Sequence, residues 1–510
     1  MHQSPAIPAN ALGLRARPAA RRVAAYRVQL AVVLVPLLVV PFFRLVDPDF
    51  WWHLKTGELL LSDGFIHRDP FSWSAAGEPW VTHEWLAEAL IYAVQSAFGY
   101  WANALLFGGV AAAAVLVACA AAREAGAGTR ATVLCAALGV AILGTYATVR
   151  PQAFSWLLFA TFFLVLQRDL RDGQSAATSN GSAAVWALPP LMLLWANLHL
   201  GFFFGFGLLG AWCLALSWER LRQRRAQLGR AVAVTAACIA AACIHPEGPA
   251  LLLYPLRYLT DSGATHTHVQ EWQPPQYLNP FHWPVFAGIA LLAASLLVGR
   301  PRPFQILVSL GIIALALQAV RNAPFVAILL PAIAAPALAA RWRWASSAAD
   351  SEVGVPRAGA IALPGLTAAA AVAVMLSWNS NPSIGAPDER NFPSAGATFI
   401  ERHYEGARLF NEYGWGGYLI YRLHPRTHVG IDGRTDFYGD RLMSDYYRIF
   451  LTEPGWQDTF ARWAPDLVLV SRESNLARAL RADPGWVEEL TAEREAVFVR
   501  RTVAEQSDGD

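Results

Sequence analysis

The sequence predicts a mainly α-helical, polytopic transmembrane bundle of about eleven spans, ending in a small extracytoplasmic α/β domain. The composition is strongly apolar, and apolar runs of near-spanning length recur between residues 27 and 378. Beyond residue 387 the hydrophobic period changes.

Hydrophobic residues make up 55% of the 510 and charged residues 15%, against roughly 25% charged in soluble domains. A chain of that balance has lipid as its main solvent. The net charge of +2 gives no sign of a nucleic-acid partner. Cys119, Cys135, Cys213, Cys238 and Cys243 all sit in apolar runs, none at metal-ligand spacing with a histidine, which argues against a disulfide framework or zinc site.

A helix needs about 20 apolar residues to cross the hydrocarbon layer. The expected spans begin with Arg27–Phe43, Trp101–Ala122, Ala131–Ala147 and Gln152–Gln167. Ala184–Ala196, Gly201–Trp218, Ala231–Ile244 and Pro284–Val298 follow, then Gln305–Val320, Pro324–Ala340 and Ile361–Ser377. Pro189-Pro190 makes the fifth the weakest. No cleavage signal follows the first run, so it is read as a permanent anchor behind a basic tail, residues 1–26.

Basic residues favour cytoplasmic loops. With the N-terminus inside, nineteen Arg flank the inner helix ends, among them Arg15, Arg123, Arg224 and Arg343. Only Arg44, Lys55, Arg68, Arg150, Arg257 and Arg321 lie outside. An odd span number then puts the C-terminal segment outside. Two outer loops, 44–100 and 245–283, are too long to be turns, and function is expected on their face.

From residue 387 to 510 strand-like runs (Ala407–Tyr413, His428–Ile431, Asp466–Ser471, Ala496–Arg500) alternate with helical stretches such as Arg441–Phe450 and Trp456–Trp463. That alternation predicts a small α/β domain.

The sharpest local signal is Asp47-Pro48-Asp49-Phe50-Trp51-Trp52-His53-Leu54-Lys55-Thr56-Gly57, where the first span ends. Pro48 keeps Asp47 extended. If Asp49 is extended too, the two carboxylates point to one side. Such a pair holds a divalent cation, Mg²⁺ or Mn²⁺, through oxygen ligands, or divides into a base and a stabiliser. The competing expectation is that both aspartates cap an interfacial helix whose tryptophans sit in the aromatic belt. His53 shares the face of Asp49 if a helix starts at Phe50.

An acidic motif directly after the first span, a loop with two interfacial helices, many spans and an outer C-terminal domain resemble the GT-C glycosyltransferase superfamily. The string Asp47 to Gly57, with Asp69-Pro70-Phe71-Ser72 and His83-Glu84-Trp85-Leu86 downstream, is similar to bacterial membrane proteins usually grouped with these transferases. The resemblance implies sugar transfer from a polyprenyl-phosphate or polyprenyl-pyrophosphate donor at the outer leaflet of a bacterial inner membrane. Oligosaccharyltransferases of the superfamily carry a second acidic pair in the second outer loop; here that loop is Thr148-Val149-Arg150-Pro151. Their soluble-domain signature also has an aspartate that Tyr413-Gly414-Trp415-Gly416-Gly417-Tyr418 lacks. A monosaccharide transferase fits better.

Further candidates sit on the same face. Arg150 and Arg321 at outer helix ends, with His53, suit a lipid phosphate, the alternative being headgroup snorkelling. Asn197 and His199 form a turn that lines a cavity or is a plain polar tip. His266, His268 and Glu271 cluster in the second long loop; Glu271 is the carboxylate of interest. Glu84 is a second acid beside Asp49 or a helix-start charge. Asp432 and Arg434 end a strand, where ligands of open sheets bind, and suit an acceptor if the segment is not an ordinary turn.

The expected activity is therefore transfer of a sugar to a cell-envelope glycan, lipid or protein, with Asp47 or Asp49 as base. A lipid-pyrophosphate donor and a non-catalytic lipid- or polymer-binding protein are the alternatives. The topology is directly testable. A reporter fused after Asp510 is expected to be active only in an extracytoplasmic form; cytoplasmic activity would mean one span is wrong.

Overall fold

The computed structural model describes residues 26–41, 47–173, 182–219, 225–256, 263–346 and 391–503. Helix α1 (Tyr26–Pro41) precedes two helices of the first long loop, α2 (Asp49–Ser62) and α3 (Trp85–Phe98). Then come α4 (Tyr100–Glu124), α5 (Thr129–Leu143), α6 (Gln152–Asp172), α7 (Leu188–Leu198), α8 (Phe202–Glu219) and α9 (Arg225–Ala242). A short α10 (Gly263–His268) leads to α11 (Trp283–Val298), α12 (Pro303–Gln318) and α13 (Val320–Arg341).

Among the described residues, ten apolar helical runs lie where the first ten spans were expected. Four of them, Tyr100–Glu124, Gln152–Asp172, Pro280–Val298 and Val320–Arg341, are long and apolar enough to cross a membrane. The others are shorter, and the expected eleventh span, Ile361–Ser377, lies outside the described residues. The fifth run starts as a 3₁₀ turn at Ala183–Ala187 and continues through α7, with Pro189 and Pro190 in its first turn, where their missing N–H groups cost nothing. Helix α13 opens into a π-turn at Leu330–Ala334, around Pro331.

Helix α6 packs on α4, α7, α8 and α13, and its Trp156, Phe159, Phe162 and Phe163 are fully buried. Burying one such aromatic side chain contributes roughly 1.5–3 kcal/mol where water is the alternative. Its C-terminal Arg168 and Arg171 pair with Glu124, and Asp169 with Arg230. Arg123 at the same end lies over the Tyr26 ring. The opposite helix ends carry Arg150, His199 and Arg321.

Residues 391–503 form a five-stranded sheet with flanking helices: α14 (Ser394–His403), β1 (Arg408–Asn411), α15 (Gly416–Leu423), β2 (His428–Val429), α16 (Thr435–Phe450), α17 (Trp456–Trp463), β3 (Leu467–Ser471), α18 (Asn475–Arg481), β4 (Trp486–Thr491) and β5 (Glu495–Arg500). The order is β2-β1-β3-β5-β4, parallel on the β1 side of β3 and antiparallel beyond it. Strand β4 was not expected. It is an edge strand whose Glu488 and Glu489 hide the alternation, and a bulge interrupts its register.

The opposite edge is covered by the first long loop. Val429 N–H donates to the Phe71 carbonyl at 3.1 Å, Trp73 N–H to the Val429 carbonyl at 3.0 Å, and Trp73 Nε1 to the Leu409 carbonyl at 2.9 Å. The loop thereby satisfies an edge that would otherwise stay open. Trp51 on α2 packs edge-on against Phe392 and Tyr418.

Helices α2 and α3 pack closely because Gly57 has no side chain: a Cβ there would lie 2.1 Å from the Glu88 carbonyl oxygen. That approach brings His53, one turn before Gly57, onto the start of α3. Gly57→Ala is expected to cost about 1–3 kcal/mol through overpacking, read as a lower melting temperature of the purified protein. An unchanged melting point would mean the two helices separate freely.

Candidate active site

A cavity of about 680 Å³ lies between the first long loop, one set of helix ends and the sheet. Asp49, His53, Glu84 and Glu88 line it from the first loop, and Arg150, His199 and Arg321 from the bundle. Glu271 and Trp272 enter from the second long loop, and Tyr413, Gly433 and Asp436 from the sheet domain.

The Asp47-Pro48-Asp49 turn differs from the extended arrangement expected of it. Asp49 is the first residue of α2, and its N–H donates to Asp47 Oδ1 at 3.1 Å. The carboxylates converge through a shared cation: Arg150 places Nε 2.6 Å from Asp47 Oδ2, Nη2 3.0 Å from Asp49 Oδ2 and Nη1 2.6 Å from Glu271 Oε1. All three faces of the guanidinium thus meet carboxylates. Arg150 is thus paired with three carboxylates and stands between Asp47 and Asp49, the two groups expected to offer oxygen ligands to a cation.

The two aspartates are held differently. Burial pushes the Asp47 carboxyl up, but Arg150's charge, with hydrogen bonds from Thr148 and the Asp49 N–H, outweighs burial and holds it below the usual range. Asp49 is pushed up to about 6, by burial first, then against Arg150 by the charges of Asp47 and Glu271. Its Oδ1 accepts from Trp52 Nε1 at 3.2 Å. A Cβ on Gly433 would meet that oxygen at 2.0 Å, so glycine is required where the sheet domain closes over Asp49.

Beside it, Glu84 is ringed by imidazoles. His199 Nε2 is 3.3 Å and His83 Nε2 3.6 Å from Oε1, and His53 Nε2 is 3.7 Å from Oε2. Burial raises the Glu84 carboxyl, yet the histidines outweigh it and bring it to about 2. His83 is lowered by burial but lifted further by Glu84, to about 9. Burial takes His199 down to about 4. Its Nδ1 accepts the Gly201 N–H at 2.8 Å and lies 2.7 Å from Ser155 Oγ, which places the ring proton on Nε2, facing Glu84. His53 Nδ1 is 3.2 Å from Glu88 Oε1.

Arg321 stacks on Trp272 at 4.2 Å, and among the described residues no carboxylate pairs with it. It is the cavity's uncommitted cation.

Other sequence candidates are held by partners of their own, though Arg434 and His268 also line the cavity. Asn197 does not reach the cavity; it accepts from Trp85 Nε1 at 2.8 Å and donates to the Leu193 and Ile244 carbonyls, tying α3, α7 and the end of α9 together. Asp432 is fully buried, 2.7 Å from Arg434, which also sits 2.8 Å from Asp69 and 4.4 Å from the Trp80 ring centroid. Together they tie the sheet to the loop. His266 and His268 are parted by their ring partners, Trp272 and Tyr447, and form no ligand set with Glu271.

Glu88 and Tyr413 were missed. Glu88 had a usable signal, because Glu84 and Glu88 are one helical turn apart and share a face. Tyr413 reaches the cavity only through tertiary packing.

No protein-family model matches the chain, and no curated protein does either. Solved structures do resemble it. ArnT from Cupriavidus metallidurans bound to undecaprenyl phosphate aligns with a TM-score of 0.52 at 15% identity, over 93% of this chain and 97% of ArnT. The chain has the GT-C fold. The mycobacterial arabinofuranosyltransferase AftD gives a TM-score of 0.53 at 14% identity, over 92% of this chain and 40% of AftD. GT-C folds are thus shared at identities too low for sequence matching to register.

Removing the shared cation tests the electrostatics. Arg150→Ala leaves the buried Asp47 carboxylate unpaired and is expected to destabilise the protein by about 3–5 kcal/mol. Asp47→Asn in the same background should recover part of that loss in thermal melts. No recovery would mean the pair is not what holds the turn.

Proposed function

We propose that this protein transfers a single sugar from a polyprenyl-phosphate carrier to an acceptor hydroxyl at the extracytoplasmic face of a bacterial inner membrane. One observation carries this above the others: Asp49, raised to about 6, lines the same cavity as Arg321, which pairs with no carboxylate among the described residues. The undecaprenyl phosphate bound to ArnT supports the choice of carrier, and the arginine bias supports the choice of face.

Asp49 accepts the proton of the acceptor hydroxyl as its oxygen bonds to the anomeric carbon. The bond from that carbon to the phosphate oxygen breaks, and the phosphate leaves with the electron pair. Arg321 offers the charge that meets it. Asp47 stays ionised and fixes Arg150, which in turn aims Asp49, so Asp47 and Arg150 act as positioning residues. The sheet domain closes the cavity through Gly433 and Tyr413.

A base near pH 6 suits this task, since it is largely ionised at neutral pH yet still basic enough to take a proton. Because the active form is deprotonated, turnover is expected to rise with pH through about 6 and level off above. Arg150, Asp47, Glu271, His53 and Tyr413 face Asp49, so Glu271→Gln should move that midpoint downward by removing a negative neighbour. Asp49→Asn is expected to lose about 10²-fold or more in turnover with normal expression. The assay uses the purified full chain with polyprenyl-phosphate-linked hexoses and pentoses. Wild-type turnover by Asp49→Asn, with no inflection near pH 6, would remove Asp49 from the chemistry.

A further inference from the structure

We propose that His53, Glu84 and Glu88 form a binding site for one divalent transition-metal ion, of the Zn²⁺ or Mn²⁺ type, on the cavity wall beside Asp49. Each offers one ligand atom, and the three atoms lie within 4.8 Å of one another. An imidazole nitrogen with two carboxylate oxygens is a donor set that such ions accept. The ion's charge would balance the two carboxylates when the imidazole is neutral.

The contacts within the cluster fall short of satisfying it. Glu88 is 1% exposed, and its Oε2 is buried without a hydrogen-bond partner. An unmet buried carboxylate oxygen is costly, and an ion provides what it lacks. His53 Nε2 stands 3.7 Å from Glu84 Oε2, beyond hydrogen-bond reach. Two ligands of one tetrahedral ion with bonds of about 2.0–2.1 Å lie roughly 3.3–3.4 Å apart, so a small inward shift would close the set.

The surroundings have the character of a supported site. Glu84 and Glu88 are one turn apart on the first turns of α3, and Gly57 lets α2 press His53 against them. Glu84's other oxygen faces the Nε2–H of His199, whose tautomer is set by Gly201 and Ser155; Ser155 in turn accepts from Trp195 Nε1 at 2.7 Å. Outer partners of that kind orient a ligating carboxylate. His83 faces the same oxygen and the Asp436 side of the cavity.

The site is separate from the aspartate pair, which Arg150 bridges. Its existence does not depend on the transferase reading; only its service to a phosphate oxygen in the cavity would.

The test is metal content. Purified full-length protein, stripped with chelator, is titrated with ZnCl₂ or MnCl₂ alone, desalted and analysed by mass spectrometry. About one equivalent per chain is expected in wild type and in Asp49→Asn. Affinity should fall at least about tenfold in His53→Gln and Glu88→Gln. X-ray absorption on the loaded wild type should show a nitrogen and oxygen shell with one imidazole, which keeps the proposal falsifiable if a variant misfolds. No retained ion, undiminished retention in both cluster variants, or a shell without imidazole would overturn it. Because Asp49→Asn is expected to lose turnover yet keep the ion, failure of the metal site and failure of the transferase reading are separable.

Discussion

Ionised groups between a lipid-embedded bundle and a folded domain must be matched, because desolvation of each costs several kcal/mol. Arg150 is where that constraint is tightest. Its guanidinium, 16% exposed, is shared by Asp47 from the end of the first span, Asp49 from α2 and Glu271 from the second long loop. Two loops far apart in sequence are thereby fixed to the link between α5 and α6. One cation among three carboxylates leaves an excess of negative charge, and that excess, with burial, lifts Asp49 towards neutral pH. The structural tie and the chemical tuning have the same origin.

A second buried cation does for the sheet domain what Arg150 does for the loops. Arg434 joins Asp432 of its own domain to Asp69 of the first long loop, over the face of Trp80. The backbone pairing of Phe71 and Trp73 with Val429 runs alongside. The buried Arg434–Asp69 pair and the backbone bridge beside it fix the domain against the loop. The domain is therefore a wall of the cavity, and its Gly433 reaches Asp49 only because this wall is registered to the loop.

The imidazole cluster around Glu84 shows how differently neighbouring carboxylates are treated. Glu84 is held ionised by three rings, whereas Glu88, one turn away, faces a single histidine and is raised, chiefly by burial. Proximity on a helix set the spacing of these acids, but their roles follow from what α2 and the α7–α8 turn bring against them.

Much of this was determined by sequence alone. The apolar runs located the spans, since lipid demands continuous apolar helix, and the helix–strand alternation after residue 387 announced the α/β domain. The Asp47 to Gly57 string, singled out by its place after the first apolar run, supplies Asp49, Trp52 and His53 to the cavity lining. Strand β4 stayed hidden because an edge strand's exposed glutamates blur the alternation of period two. Tertiary structure alone decided that Arg150 would stand between the aspartates, that Asp432 and Arg434 would tie the sheet to the first long loop, and that Tyr413 would reach the cavity. Each depends on pairings between residues far apart in the chain, and the electrostatic cost of an unmatched buried charge is a property of those pairings, not of any local run of sequence.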